Sequence, residues 1–168
     1  MKGAIFENSR DKTSGRKLNK HGEGKEMRAY LPLRSRRNDD ETTELDVLEQ
    51  QARDLSMRLL YSTAPNPNFE EVLKTYADNI DNVLKPWNEH LTGKKWALGD
   101  RLTYVDFLLY EGLDWHREFK GEAVQRYPEV VAYLKRFEEL PNLKEHFASD
   151  KYKKWPILGP IRKWGYKK

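Results

Sequence analysis

The sequence predicts an all-α protein: a helical bundle over residues 41–168, preceded by a basic segment, residues 1–40, expected to be disordered. Three observations carry this. From Leu45 onward apolar residues return every three or four positions, the period of a helix with one buried face. No run alternates apolar and polar residues in the manner of a strand. Pro, Gly and Asn separate the periodic runs, and these residues stop or cap helices.

At 168 residues the chain has the size of one domain. Its charge is uneven. Residues 1–38 carry 11 Lys/Arg against 4 Asp/Glu, and residues 39–168 carry 20 against 23. The basic balance therefore belongs to the N-terminal segment. Gly3, Gly15, Gly22 and Gly24 lie there among Lys, Arg, Asn and Ser, the composition of a solvated tail. Its one apolar patch, Met27-Arg-Ala-Tyr-Leu-Pro-Leu33, could make a short docked turn, because Pro32 limits any helix. Arg34-Ser-Arg-Arg37 could be a small phosphate-binding or localisation patch.

The first helix is predicted from Thr42 or Thr43 to about Ser62. Glu44 and Asp46 place negative charge in its first turn, and Leu45, Leu48, Ala52, Leu55 and Leu59 form its stripe. Ala64-Pro-Asn-Pro67 stops it. Asn68 caps a second helix whose stripe runs Phe69, Leu73, Tyr76, Ile80, Val83, Trp87, Leu91. Pro86 predicts a kink or break near residues 82–85. The pair makes an αα-hairpin that ends at Thr92-Gly93.

Trp96-Ala-Leu-Gly-Asp-Arg-Leu-Thr-Tyr-Val-Asp-Phe-Leu-Leu-Tyr110 then reads as a loop turning into a buried helix. Thr103 and Asp106 stand at capping-box spacing, each side chain able to bond the other's backbone N–H. Leu102 and Phe107 stand at the spacing of a hydrophobic staple. Phe107, Leu108, Leu109 and Tyr110 predict burial on several sides, with the helix running to about Arg117. Tyr127-Pro128 starts the next helix, with Pro at the favoured first position. Val130, Val131, Leu134 and Phe137 face inward and Tyr133 is intermediate. Pro141 ends it and opens a short helix to about Ala148. The tail Trp155-Pro-Ile-Leu-Gly-Pro-Ile161 is too apolar to float free and is expected to pack back on the bundle.

The chain has no cysteine, which excludes disulfides, thiolate catalysis and Cys-ligated metals. No window approaches the roughly 18 apolar residues of a membrane span, and no apolar signal core follows Met1. A cytoplasmic protein without membrane contact is the expectation. No Ser-His-Asp arrangement, Gly-rich phosphate loop or zinc-ligand spacing appears, so no catalytic residue and no metal is predicted. The cap accounts for Asp106. Of Asp114, His116 and Glu118, only the two acids share a helical face. His21, His90 and His146 have no partner at ligand spacing. The five Trp residues read as core or interface, and nucleic-acid binding is not expected, even for Lys163 to Lys168.

The segment from Trp96 to Tyr110 resembles the buried capping-box helix of glutathione S-transferases, the mu class in particular. The likeness continues in Tyr127-Pro128, in Arg136-Phe137-Glu138 with Leu140, and in Trp155-Pro156-Ile157. Upstream, Leu48-Glu49-Gln50-Gln51 and the Asp54–Met57–Leu59 spacing are similar to the first helix of the same domain. The resemblance covers roughly residues 40–168 and implies the all-helical C-terminal domain, which forms most of the hydrophobic substrate pocket and part of a dimer interface. It implies glutathione as co-substrate with no bound cofactor, hydrophobic small molecules as ligands, and self-association as a homodimer. It also implies roles for three residues. Asp54 matches a carboxylate that reaches across the dimer toward the glutathione amino group. Met57 matches a pocket-lining residue, and Leu158 a tail residue that covers the pocket. Two positions depart from the family: Arg53 stands where an apolar wall residue is usual, and Ala64 or Pro65 stands where the mu class has a pocket Tyr. Residues 1–40 offer no βαβ pattern for the thioredoxin-like domain that binds glutathione. The chain is therefore expected to be inactive alone. The alternative is a non-catalytic dimerisation or assembly module, as transferase-like domains are in some translation proteins.

Overall fold

The structure, a computed structural model, describes residues 39–166, all within the unit Ser35–Lys168. The expectations for residues 1–38, including the docked turn and the Arg34–Arg37 patch, lie outside the described residues. Among the described residues six helices follow one another: α1 (Asp39–Ser62), α2 (Phe69–Asp78), α3 (Asp81–Leu91), α4 (Tyr104–Val124), α5 (Pro128–Glu138) and α6 (Pro141–Ala148). No β-strand occurs among the described residues; two isolated bridges close the turn from Trp96 to Arg101.

α1 packs most extensively on α4, α3 and α4 pack on α5, and α6 leans on α5. The core between them takes Leu45, Leu48, Ala52 and Leu55 from α1, Leu84, Trp87 and Leu91 from α3, and Val105, Leu109 and Leu113 from α4. The α1–α4 crossing is close. A Cβ at Gly112 would stand 2.9 Å from both Leu55 Cδ2 and Ser56 Oγ.

Three boundaries and one burial pattern differ from the sequence-based expectation. α1 extends upstream of Thr42 and Thr43, reaching at least to Asp39; Asp40 and Glu41 add negative charge on the N-terminal side of Glu44 and Asp46, where the dipole favours it. The second predicted helix is two. The break falls at Asn79–Ile80, one turn before the predicted site, and Pro86 lies inside α3. Asn79 makes the break: its N–H is shared between the Thr75 and Tyr76 carbonyls, and its side-chain amide also donates to Thr75. Such side-chain bonds compete with the helix ladder. α4 continues past Arg117 to Val124, through non-helical backbone at Lys120 (φ −148°, ψ 69°). The Lys120 ammonium, bonded to the Ala77 carbonyl at 3.0 Å, anchors that kink to α2. Lastly, burial on α4 is one-sided. Leu109 is fully buried, while Phe107 is 39% exposed and meets the Phe137 ring edge-on, at 5.1 Å.

Candidate functional site

The start of α4 is built around Asp106. This carboxylate is completely buried. The Thr103 N–H donates to Oδ2 at 2.7 Å and the Thr103 hydroxyl to the same oxygen at 3.2 Å. The Ala97 N–H donates to Oδ1 at 2.8 Å, and the Tyr133 hydroxyl reaches Oδ1 at 3.1 Å. Asp106 therefore ties the preceding loop and α5 to the first turn of α4, beyond its reach back to Thr103. Burial pushes the Asp106 carboxyl up, and the donors from Ala97, Thr103 and Tyr133 pull it back. With every lone-pair direction engaged by the fold, Asp106 is a structural carboxylate. Tyr133, intermediate by its sequence, is fully buried because its hydroxyl has this partner.

The three residues assigned by resemblance separate into two places. Asp54 is exposed on α1 and lines a cleft of about 250 Å³ between α1 and α3, with Gln51, Arg58, Asn82, Trp87 and His90 among its walls. Its carboxylate accepts from the Gln50 amide at 2.9 Å and has no cation within ion-pair distance among the described residues. Met57, one turn on, is 39% exposed and does not line that cleft. Leu158 is 8% exposed and sits in the tail. The tail docks at the far end of α1: Arg162 donates to the Leu60 carbonyl at 3.1 Å and the Lys163 N–H to the Thr63 carbonyl at 3.4 Å. Asp54 and Leu158 are thus brought to the same helix but not to the same cavity. Arg53 turns back along α1 to Glu49 at 2.8 Å, as a long cationic side chain does when it keeps its head in water. Glu49 also accepts from Tyr104 at 2.7 Å, and these two donors hold its carboxyl below the ordinary range.

Sequence reasoning missed His116. It is fully buried. Its Nδ1–H donates to the Gly112 carbonyl at 2.6 Å, so Nε2 accepts from the Tyr76 hydroxyl at 2.5 Å. Burial lowers its pKa from 6.5 to about 4, so it is neutral and fastens α2 to α4. Tyr76 lies forty residues upstream, and no local pattern announces the pair. The neighbouring acids are engaged: Asp114 with Arg117, and Glu118 with Lys154. Arg117 also pairs with Glu138, which accepts from Tyr110 at 3.1 Å. Among the described residues no group of His, Asp and Glu could hold a metal ion.

Comparison with known proteins gives the site its context. Residues 52–150 match the model of the glutathione S-transferase C-terminal domain. A glutathione S-transferase of Mesocricetus auratus is 33% identical over 129 residues, covering 77% of this chain and 59% of its own length. Glutathione S-transferase Mu 1 of Homo sapiens is 31% identical over the same length and coverage. The chain thus spans about three-fifths of the length of these relatives. Among solved structures, the glutathione S-transferase Blo t 8 superposes with a TM-score of 0.70 at 30% identity, covering 83% of this chain and 67% of that one. A Pi-class glutathione S-transferase of Onchocerca volvulus shares the fold, with a TM-score of 0.66 at 24% identity.

Proposed function

The chain belongs to the glutathione S-transferase family, and we propose that it supplies the helical, substrate-side part of a cytoplasmic, dimeric mu-class transferase that detoxifies hydrophobic electrophiles by conjugating them to glutathione. The observation that carries this reading is Asp54. It is a solvent-facing carboxylate on α1, without a cation partner among the described residues, at the position where the family meets the glutathione amino group. An ionised carboxylate beside an ammonium makes a strong charge-assisted bond, and Asp54 is available to make one with a ligand. Met57 and the docked tail with Leu158 supply apolar surface toward the other end of the same helix. No described side chain is placed to generate the glutathione thiolate. Conjugation therefore needs a glutathione-activating domain in addition to these residues.

The experiment uses a chlorinated nitroaromatic and immobilised glutathione. The 168-residue chain is expected neither to turn over the conjugation nor to be retained; clear turnover would overturn the division of labour. Joined to the thioredoxin-like domain of a mu-class relative, the chain is expected to gain activity. Asp54→Asn should then raise KM for glutathione while leaving KM for the electrophile unchanged. Equal effects on both would remove Asp54 from the glutathione side.

A second reading, a non-catalytic dimerisation module, is favoured by two observations. Arg53 replaces an apolar wall residue and pairs with Glu49, and Ala64–Pro65 occupies the place of a pocket tyrosine. If the joined protein folds and binds glutathione yet conjugates nothing, this second reading holds.

A further inference from the structure

The C-terminal tail carries a surface that the transferase reading does not use. Residues 151–168 contain seven Lys/Arg and no Asp or Glu, although residues 39–168 as a whole lean acidic. Within the described part the tail folds into a closed loop. The N–H groups of Ile157 and Leu158 both donate to the Gly165 carbonyl at 2.8 Å. The Trp155 and Trp164 rings meet edge-on at 6.2 Å, and Trp164 in turn meets Phe119 of α4 at 5.5 Å. The ring contact thus joins Trp155, which directly follows the run Lys151–Lys154 in sequence, to Trp164, which directly follows Lys163. Lys151, Lys153 and Lys163 are exposed. Of the neighbouring acids, Glu118 is paired with Lys154 and Asp114 with Arg117, while Asp150 stands exposed at the base of the tail. At the tip, after Gly159-Pro160, Ile161 is 74% exposed, the most exposed of the large apolar side chains in the described residues.

We propose that this loop is a peripheral membrane-docking surface, in which Ile161 enters the headgroup region of a bilayer while Lys151, Lys153 and Lys163 meet anionic phospholipids. Charge complementarity and the exposed aliphatic tip together select this occupant. Basic residues near an anionic leaflet are attracted to it, and an apolar side chain among them adds burial. Nucleic acid would also satisfy the lysines, but it binds single strands through exposed aromatic faces. Here the two Trp rings of the loop are turned on each other and on Phe119, and an aliphatic side chain holds the tip. The contact is with the membrane surface: no helix among the described residues is long and apolar enough to cross a bilayer.

The test is co-sedimentation of the full 168-residue chain with vesicles of phosphatidylcholine alone, or with about a third phosphatidylserine. Binding is expected only with phosphatidylserine and should weaken as salt rises. Because residues 1–38 are also basic, the decisive samples are full-length variants altered in the tail alone. Ile161→Asp and the double variant Lys153→Glu/Lys163→Glu should each weaken partitioning roughly tenfold. Ile161→Leu should bind like the wild type. These side chains are exposed, so melting temperatures should not move. Three results would overturn the proposal. One is no vesicle binding; another is variants that bind like the wild type, which would assign binding to the N-terminal segment. The third is tight binding to single-stranded RNA that the lysine variant abolishes and Ile161→Asp leaves intact.

Discussion

The Tyr133 hydroxyl is shared between the Oδ1 of Asp106, at 3.1 Å, and the backbone carbonyl of the same residue, at 3.0 Å. One phenol therefore clamps α5 to the first turn of α4, where a helix has N–H groups without internal partners. Ala97 brings the preceding loop to the same carboxylate. Three consecutive pieces of chain meet at one buried side chain.

Asp106→Ala should cost more than an ordinary cap. A lost cap costs about 1 kcal/mol. Here the Ala97 N–H and the Thr103 N–H are also left buried without an acceptor, each at about 1–3 kcal/mol before relaxation, and the Tyr133 hydroxyl keeps only the Asp106 backbone carbonyl. A loss of about 4 kcal/mol in urea unfolding is expected, against about 1.5 kcal/mol for Tyr133→Phe, which removes one donor. Equal losses for the two variants would mean that Asp106 caps the helix and nothing more.

The contrast between Asp106 and His116 marks what a sequence reveals. Thr103 and Asp106 are three residues apart, a spacing that physics ties to one local structure, so the reach of the carboxylate to Thr103 could be read directly. Ala97 and Tyr133 could not, because they come to Asp106 only when the bundle closes. Tyr76 is an ordinary stripe position, and His116 shares no helical face with the acids beside it; the two meet only when α2 lies against α4. The break at Asn79 was misplaced for a similar reason. Pro86 is the louder signal, but a proline five residues into α3 is accommodated at a cost of one bond, while the Asn79 amide takes over a carbonyl of the ladder. The Asp54–Met57 spacing gave a shared face of α1, and the cleft beside Asp54 needed α3 in place.

Gly112→Ala tests the closeness of α1 and α4. In an open helix the change would stabilise by about 1 kcal/mol. At this crossing the new methyl would press on Leu55 and Ser56 at 2.9 Å. Leu55 is 2% exposed and has no room to swing. Overpacking of this kind costs about 1–3 kcal/mol, so a net destabilisation of about 1 kcal/mol is expected in thermal or urea unfolding. A stabilised variant would show that the two helices lie further apart.

His116 makes stability depend on pH. Its folded pKa, about 4, lies below the 6.5 of an unfolded chain. Between those values the unfolded state binds more protons, so stability rises with pH across the window and is lost as pH falls from about 6.5 to 4. The full effect is about 3 kcal/mol. The difference in unfolding free energy between the wild type and His116→Gln should therefore shrink by about that amount from pH 7 to pH 4. A difference independent of pH would mean that the imidazole is already charged, or exposed, in the folded protein.

Gly165→Ala should free the tail while sparing the bundle. Gly165 has φ of +85°, which an L side chain enters at a cost of about 1–2 kcal/mol. Its Cβ would also fall 2.8 Å from Leu158 Cγ and 3.0 Å from Leu158 Cβ, the second of which is fixed to the backbone and cannot swing away. The side chain that resemblance assigns to covering the substrate pocket is therefore held by the absence of one at Gly165. In the variant, trypsin should cut after Arg162 or Lys163 at least tenfold faster, with the unfolding of α1–α5 little changed. Leu158→Ala/Gly165→Ala, which removes the leucine the methyl would strike, should recover part of the protection if steric conflict is the cause. Unchanged cleavage in Gly165→Ala would mean that Leu158 is not seated against Gly165, and its role as a fixed cover would fall with that contact.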